Sequence, residues 1–320
     1  MRKPLLFGII LTVCVVIVAF VFAQFYPEGM ISYWKFDEGE GVIAYDSVDA
    51  NDGTIFGATW TPGLVGDALS FDGGYGYVDC GNDPSLNPEI ITISAWVKPT
   101  IINRWNHIVD KTGSHGQDSG YKFSITNGNE FRFRIRFMDD SMTALYSNTM
   151  AQANLWYHYV ATYDQEQMRI YINGNLDNSI PEIKAIKHSS SSLVIGYNWW
   201  PSHTFCGTID EVAIYNKALT ACEIKQHYDN GLAGKGYTLE DTIETLIISI
   251  GGLDLPKGIE KSLTSKLDNA LDSLERGRAN AAKNQLEAFI HEVEALRGKK
   301  LTDDEADALI EAVQCIIDNI

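Results

Sequence analysis

The chain has 320 residues, of which 45% are hydrophobic, 11% aromatic and 21% charged, and this composition excludes an intrinsically disordered protein. The length allows about two domains of roughly 100–200 residues each. The 25 Lys and Arg residues stand against 42 Asp and Glu residues, which gives a formal charge of -17. Because so acidic a surface repels phosphate backbones, and no basic cluster compensates for it, we expect no nucleic-acid partner.

Residues 1–23 have the pattern of an export signal. Arg2 and Lys3 are positively charged, an apolar run follows, and Ala23 provides a small residue at the end of the segment. The apolar run from Leu5 to Phe22 is also near the lower limit for a membrane span, so an uncleaved anchor is the alternative. In either case we predict a secreted or cell-surface protein, which contacts a membrane only if this segment is uncleaved.

Residues 24–231 contain a succession of short alternating segments with turn signals between them. They predict β-strands at residues 91–97, 131–137, 157–163, 168–172, 193–196 and 208–215. The segment 131–137 alternates strictly, with arginines on one face and apolar residues on the other. Strands at this spacing predict an all-β sandwich of antiparallel sheets, and Thr220 and Glu223 predict a capped helix that ends the domain.

The composition changes abruptly near residue 237. All seven Trp residues precede this point, and Ala, Leu, Glu, Lys and Asp dominate after it. Residues 232–237 therefore read as a Gly-rich linker. Residues 238–320 contain capping boxes that begin at Thr238 and Thr302, and apolar residues that recur every three or four positions. This pattern predicts a small all-α bundle at the C-terminal end.

Four cysteines follow the first 23 residues: Cys80, Cys206, Cys222 and Cys315. Their spacing contains no CxxC motif, which argues against a zinc site or a thioredoxin-like site. An exported protein can form disulfide bonds, and a pair among Cys80, Cys206 and Cys222 is one expectation. Buried free thiols are the alternative.

Several motifs resemble those of laminin-G-like, concanavalin A-like jelly-roll domains. The opening strands are similar at residues 32–39, 44–54 and 66–79, and the closing strand is similar at residues 207–219. The resemblance covers about residues 28–230 and implies a concanavalin A-like jelly-roll sandwich. This fold hosts lectins, adhesion modules, glycosidase accessory domains and some enzymes, so it is specific for the fold rather than for the function.

The tail resembles the small helical domain called FIMAH, which occurs at the C-terminal ends of exported microbial proteins. The similar residues lie at 258–267, 281–290 and 301–302. This resemblance implies export and modular construction more than a particular chemistry.

The laminin-G-like resemblance also implies a structural calcium ion that joins the first and last strands. Asp37, Asp46, Asn51 and Asp210 lie in the motifs that often bracket this ion, so they are the predicted ligands. The alternative is that Asp46 and Asp210 cap turns through side-chain to backbone hydrogen bonds.

Aromatic and basic residues provide the candidates for ligand binding. Trp199 and Trp200 are adjacent and cannot both enter one core face, and Trp105 is a second candidate for stacking on a sugar ring. Arg134 and Arg136, with Arg132 on the same strand face, suit sugar hydroxyls or acidic sugars. The alternatives are packing at the rim for Trp199 and a solvated basic face for the arginines.

The sequence does not contain the catalytic pattern of related hydrolases. Laminarinase-like glycoside hydrolases carry Glu-x-Asp-x-x-Glu on one strand, and residues 208–213 lack the first and last carboxylates. We therefore predict a protein that is not an enzyme and that binds a carbohydrate in a lectin-like manner, so its partner is a glycan or another surface macromolecule. The alternatives are an adhesion or structural module that binds proteins and, less favoured, a glycoside hydrolase.

Overall fold

The computed structural model describes residues 26–113, 119–197 and 203–320. The predicted export signal, and Trp199 and Trp200 of the predicted ligand loop, lie outside these residues. In the described part of the chain, every helix is too short or too polar to cross a membrane.

Sixteen strands are present in the described residues. They are β1 (Met30–Trp34), β2 (Ile43–Ala44), β3 (Gly53–Phe56), β4 (Thr59–Pro62), β5 (Asp67–Asp72), β6 (Tyr77–Asp79), β7 (Ile91–Pro99), β8 (Asn106–Asp110), β9 (Tyr121–Ile125), β10 (Glu130–Arg136), β11 (Met142–Met150), β12 (Tyr157–Tyr163), β13 (Gln167–Ile172), β14 (Asn175–Pro181), β15 (Val194–Ile195) and β16 (Cys206–Tyr215). All of the predicted strands are present, with ends shifted by two residues or fewer.

The strands form two antiparallel sheets of eight strands each within the described residues. Sheet 1 has the order β14-β13-β12-β7-β16-β5-β4, and β1 pairs with β16 as its eighth strand. Sheet 2 has the order β11-β10-β9-β8-β15-β6-β3-β2. The predicted fold class, a jelly-roll-like sandwich, is confirmed. The alternation of apolar and polar residues sets which face of each strand is buried. In β10, Phe131, Phe133 and Ile135 are fully buried between the sheets, so the residues between them face outward.

Five helices are present in the described residues: α1 (Ala221–Leu232), α2 (Leu239–Gly251), α3 (Lys257–Glu275), α4 (Ala279–Leu296) and α5 (Asp303–Asp318). Complete capping boxes begin α1, α2 and α5 at Thr220, Thr238 and Thr302, as predicted. Gly277 and Gly298 follow α3 and α4 with φ angles of 66°, a conformation that ends a helix and favours glycine. The apolar faces of α2 to α5 share one core, which includes Leu267, Phe289 and Val313.

The outer face of sheet 1 is covered by α1 and by the segment that joins α1 to α2. Tyr237 is fully buried, and its ring stacks on Tyr33 at 5.2 Å and on His227 at 4.3 Å. The Gly231 backbone lies directly on Trp96, because an added Cβ would be 2.4 Å from the indole Nε1. The predicted linker therefore ends in an aromatic side chain packed against the sandwich.

The four cysteines in the described residues are free thiols. Cys80 and Cys206 are buried in the sandwich, whereas Cys222 is on α1. Cys206 Sγ donates to the Asp72 carbonyl oxygen at 3.5 Å rather than contacting another cysteine. The predicted pair among Cys80, Cys206 and Cys222 is therefore not formed in this structure.

Candidate functional site

A row of basic side chains occupies the outer face of sheet 2, on the opposite side of the sandwich from α1. Arg132, Arg134 and Arg136 point outward from β10 and are half-buried. Arg132 lies directly opposite Tyr146 of β11, and Arg134 lies opposite Lys122 of β9. Because directly opposed side chains on one face of a sheet are close neighbours, these residues form a continuous cationic surface.

Trp105 extends this surface from the loop between β7 and β8. The Arg132 guanidinium lies 4.3 Å from the centre of the Trp105 ring, which is the distance of a cation–π contact. On the other side of Arg132, Tyr146 is 44% exposed. The sheet therefore presents an aromatic ring, a guanidinium and a second aromatic ring in one row.

Two histidines lie beside this row. The rings of His107 and His203 stack at 5.6 Å with an interplanar angle of 15°, and the Trp105 ring is 5.8 Å from His203. Burial lowers the pKa of His107 to about 4, so this imidazole is neutral at pH 7. Burial also lowers the pKa of His203, and the positive charges of Lys122, Arg132 and Arg104 lower it further. The local potential at His203 is thus positive, although the whole chain is acidic.

A buried carboxylate supports the histidines from below. Asp110 is 1% exposed, and its Oδ2 atom is 3.4 Å from His107 Nδ1 and 3.4 Å from Lys122 Nζ. Burial acts to raise the pKa of Asp110, but the hydrogen bond with His107 and the charge of Lys122 outweigh it and hold the pKa well below its usual range. Asp110 therefore stays ionised and fixes the positions of both neighbours.

The loops that carry these rings are tied together by backbone and side-chain contacts. Arg104 donates from Nη2 to the carbonyl oxygens of Gly73 and Thr204, both at 3.3 Å. His107 also forms a parallel β-bridge with Thr204. These contacts hold the Trp105 loop against the segment that contains His203. We call the set Trp105, His107, Lys122, Arg132, Arg134, Tyr146 and His203 the Trp105 surface.

The structure unites part of the predicted ligand site. Trp105 and Arg134 both belong to the Trp105 surface, whereas Arg136 lies further along β10, opposite Met142. Trp199 and Trp200 lie outside the described residues, so their predicted role stays a prediction.

The sequence reasoning missed Lys122 and Tyr146, and it did not bring together His107 and His203, although each lies within three residues of a candidate tryptophan. Lys122 could have been found from alternation in β9, where Tyr121 and Phe123 are buried on either side of it. Tyr146 faces Arg132 from the neighbouring strand, so it could have been found only after β10 and β11 had been paired. His107 and His203 come together through the bridge between β8 and Thr204, for which the sequence contains no local signal.

The predicted calcium ligands lie in two separate places. Asp46 Oδ1 accepts from the Tyr33 N–H at 2.8 Å and the Val48 N–H at 3.0 Å, and its Oδ2 accepts from the Asn51 N–H at 3.3 Å. Asp46 therefore caps a turn, which is the alternative stated above for this residue. The Asn51 side chain donates to Ser32 Oγ at 2.9 Å. Asp46 and Asn51 thus use these atoms to tie the turn to β1.

Asp37 and Asp210 also accept from backbone N–H groups, but these groups lie between β4 and β5 and at the start of β5. Asp210 Oδ2 accepts from the N–H groups of Leu64 and Val65 at 2.8 and 3.1 Å. Asp210 Oδ1 and the adjacent Glu211 Oε1 are buried without a hydrogen-bond partner. Burial raises the pKa of Asp210 to about 7, and burial with the nearby Asp210 charge raises that of Glu211.

The residues in these two places therefore fit a calcium ion only in part. The unpartnered oxygens of Asp210 and Glu211 suit a cation, but Asp46 and Asn51 do not. Within the described ranges, no three His, Cys, Asp or Glu side chains are grouped so that they could hold a metal ion. The four predicted ligands do not form one site, and calcium stays a prediction.

Comparison with known families identifies both parts of the chain. Residues 72–225 match the concanavalin A-like lectin/glucanases superfamily, and residues 252–318 match the FIMAH domain. We refer to the two matched parts as the concanavalin A-like domain and the FIMAH domain. Both predicted resemblances are confirmed, in the predicted order. A search among curated protein sequences found no match.

The concanavalin A-like domain also resembles solved toxin domains. The binding domain of Paraclostridial mosquitocidal protein 1 has a TM-score of 0.52 and 15% identity, with 63% of this chain and 52% of that chain covered. The botulinum neurotoxin serotype G binding domain has a TM-score of 0.51 and 17% identity, with 62% and 50% covered. The binding domain of botulinum neurotoxin DC, solved in complex with SialylT, has a TM-score of 0.51 and 17% identity, with 64% and 52% covered. The matched part spans about half the length of these domains, and identities this low show the fold alone.

Proposed function

We propose that the concanavalin A-like domain is a non-catalytic carbohydrate-binding module that holds an acidic glycan on the Trp105 surface. The observation that carries the proposal is the row formed by Trp105, Arg132 and Tyr146. Aromatic faces pack against the apolar face of a sugar ring, and a guanidinium between them binds hydroxyl or carboxylate oxygens. Such a combination of a few polar groups with aromatic side chains is typical of small-ligand sites.

The unused hydrogen-bonding capacity of this surface favours an anionic ligand. Arg132 Nε is buried and has no hydrogen-bond partner, and Arg136 Nε further along β10 is in the same state. An unsatisfied buried donor costs about 1–3 kcal/mol, and a ligand oxygen recovers this cost only if the Arg132 guanidinium turns to expose its Nε–H. Lys122 and Arg134 add positive charge beside it. A sugar carboxylate therefore fits this surface better than a neutral hydroxyl does.

The carboxylate beneath the surface is unsuited to hydrolysis. Glycoside hydrolysis uses two carboxyl groups that flank the scissile bond. Asp110 is almost fully buried and is already engaged by His107, Lys122 and Thr112. Its role is to hold the binding residues in place, which supports recognition without catalysis. The neurotoxin DC domain of the same fold, solved in complex with SialylT, gives further support to a glycan ligand.

The test is direct binding of the purified full-length protein to a panel of neutral and carboxylated glycans. The panel is run at low and high salt, and with calcium or a chelator because a calcium ion would make binding sensitive to chelation. We expect carboxylated glycans to be retained, with affinity that falls as salt rises. We propose that the protein makes this interaction as a secreted or cell-surface protein.

Two variants and one matched control locate the site. Trp105→Ala and Arg134→Gln are each expected to lower affinity for the retained glycan about 10–100-fold, the loss of roughly 1.4–2.8 kcal/mol. Arg276→Gln removes an exposed arginine on the FIMAH domain and should leave binding unchanged.

Three results would contradict the proposal. Full binding by both variants would exclude the Trp105 surface, and retention of neutral glycans alone would exclude an acidic ligand. Failure of the folded protein to bind any glycan would favour the alternative of a protein-binding adhesion module.

A further inference from the structure

Two cysteines meet where the FIMAH domain packs against the concanavalin A-like domain. Cys222 is the second residue of α1, and Cys315 lies in the last third of α5. Cys222 Sγ donates to the Glu311 carbonyl oxygen at 3.7 Å. Because Glu311 lies one helical turn before Cys315, this contact places the Cys222 thiol over the turn that the Cys315 side chain covers. Both cysteines also line one cavity between α1 and α5.

The contact between the two helices is ordered on both sides of the cysteines. Gln226 Nε2 donates to the Ala312 carbonyl oxygen at 2.8 Å, and Lys217 Nζ donates to Asn319 Oδ1 at 3.3 Å. These bonds hold α1 and α5 side by side. The thiol of Cys222 is therefore kept against that of Cys315 by contacts that do not involve sulfur.

Cys222 makes this pair accessible from solvent, although Cys315 itself is buried. An open cavity of about 590 Å³ between α1 and α5 is lined by both Cys222 and Cys315. Cys222 is partly exposed, whereas Cys80 and Cys206 are buried in the sandwich. The hydrogen bond with Cys222, with burial second, raises the pKa of Cys315, so Cys222 is the thiol that reacts first with a small reagent.

We propose that Cys222 and Cys315 form a disulfide bond that locks the FIMAH domain onto the concanavalin A-like domain. The oxidant is a disulfide-bonded thiol compound. The Cys222 thiolate attacks one sulfur of this disulfide, which forms a mixed disulfide and releases one thiol. The Cys315 thiolate then attacks Cys222 Sγ and releases the second thiol. The two cysteines lose two protons and two electrons, and the oxidant is reduced to two thiols.

The test uses the full-length protein with oxidised glutathione, followed by alkylation of the remaining thiols and peptide mapping without reductant. We expect one cross-linked peptide pair that contains Cys222 and Cys315, while Cys80 and Cys206 are alkylated only after unfolding. The bond closes a loop of about 90 residues in the unfolded chain, so we expect the Tm of the oxidised protein to exceed that of the reduced protein by about 5 °C or more.

Matched variants separate this bond from a general effect of oxidation. Cys222→Ser is on the surface and should fold normally, yet it should lose both the cross-link and the Tm shift. Cys206→Ser should keep both, and the wild-type peptide map remains decisive if this buried variant does not fold. The proposal would be overturned if glutathione stayed on Cys222 without a cross-link, or if Cys222 and Cys315 were both still alkylated after oxidation.

Discussion

The buried His227 predicts a specific loss of stability in acid. Its ring lies in α1 between Tyr237 at 4.3 Å and Tyr215 at 5.8 Å, and its Nδ1 atom has no hydrogen-bond partner. Burial lowers the pKa of His227 from 6.5 to about 4, although the charge of Glu223 acts to raise it. The folded protein thus keeps this imidazole neutral where the unfolded chain would protonate it.

The sign and size of the effect follow from proton linkage. Between pH 6.5 and 4 the unfolded state binds more protons at His227 than the folded state, so the free energy of unfolding falls as the pH falls. The part of the free energy of unfolding that is linked to the neutral His227 is fully present above pH 6.5 and is lost as the pH falls through 4. A shift of 2.5 pKa units corresponds to about 3 kcal/mol, most of which is lost by pH 4.

The assay is urea unfolding of the wild type and of His227→Gln at pH 7.5, 5.5 and 4. His107 and His158 are also buried with lowered pKa values, but they titrate in both proteins, so their effects cancel in the comparison. We expect the difference in the free energy of unfolding between the two proteins to change by about 3 kcal/mol in favour of the variant from pH 7.5 to pH 4. His188→Gln, at an exposed site beside Glu89, is the control and should track the wild type.

A constant difference between wild type and His227→Gln across this pH range would refute the reasoning. It would mean that the ring is protonated in the folded state, or that α1 opens without unfolding of the sandwich. Hydrogen exchange of the α1 amides at pH 5 would distinguish these two explanations, because local opening exposes α1 alone.

Two further predictions concern the packing of α1 and the chemistry of the Trp105 surface. Gly231→Ala places a methyl group 2.4 Å from Trp96 Nε1, so we expect it to lower the free energy of unfolding by about 1–3 kcal/mol in urea, whereas Gly258→Ala in α3 meets no atom within 4 Å and should be neutral or stabilising. Equal effects of the two changes would show that α1 can move away from sheet 1 at little cost. Arg132→Lys keeps the charge but replaces the planar guanidinium that contacts the Trp105 ring, so calorimetry should show about tenfold weaker binding of a carboxylated glycan with an unchanged salt dependence. Unchanged affinity would exclude the stacked guanidinium from the site.

The strands that could be predicted are those with one face in the core and the other in solvent. β10 alternates strictly because no helix of the described residues covers the outer face of sheet 2. Its prediction at 131–137 differs by one residue from the observed Glu130–Arg136. In β12 all seven residues are buried, because α1 and Tyr237 cover the second face. The β-branched and aromatic content of this strand is typical of a β-strand, but the sequence of the strand does not reveal what covers it.

The limits of sequence reasoning are clearest at the joint and at the site. The glycines before Tyr237 indicate a backbone that can turn, but the burial of Tyr237 also depends on Tyr33, which is 204 residues away in the sequence. The outward position of Arg134 follows from local alternation. The approach of His203 to His107 does not, because a bridge between residues about 100 positions apart creates it. Asp46 shows the reverse case, since the family resemblance assigned it to calcium, whereas its carboxylate accepts from the nearby N–H groups of Val48 and Asn51.

The two faces of the sandwich support separate roles, and this separation is itself testable. Cys222, His227 and Gly231 all lie on α1, which packs on sheet 1, whereas the Trp105 surface is on the outer face of sheet 2. Changes at α1 should therefore alter stability and the docking of the FIMAH domain without altering the glycan site. We expect oxidised and reduced protein to bind the same glycan with equal affinity. A difference between the two affinities would mean that a change at α1 reaches Trp105 through the core between the sheets. In a close-packed interior this requires strands such as β7 and β8 to shift.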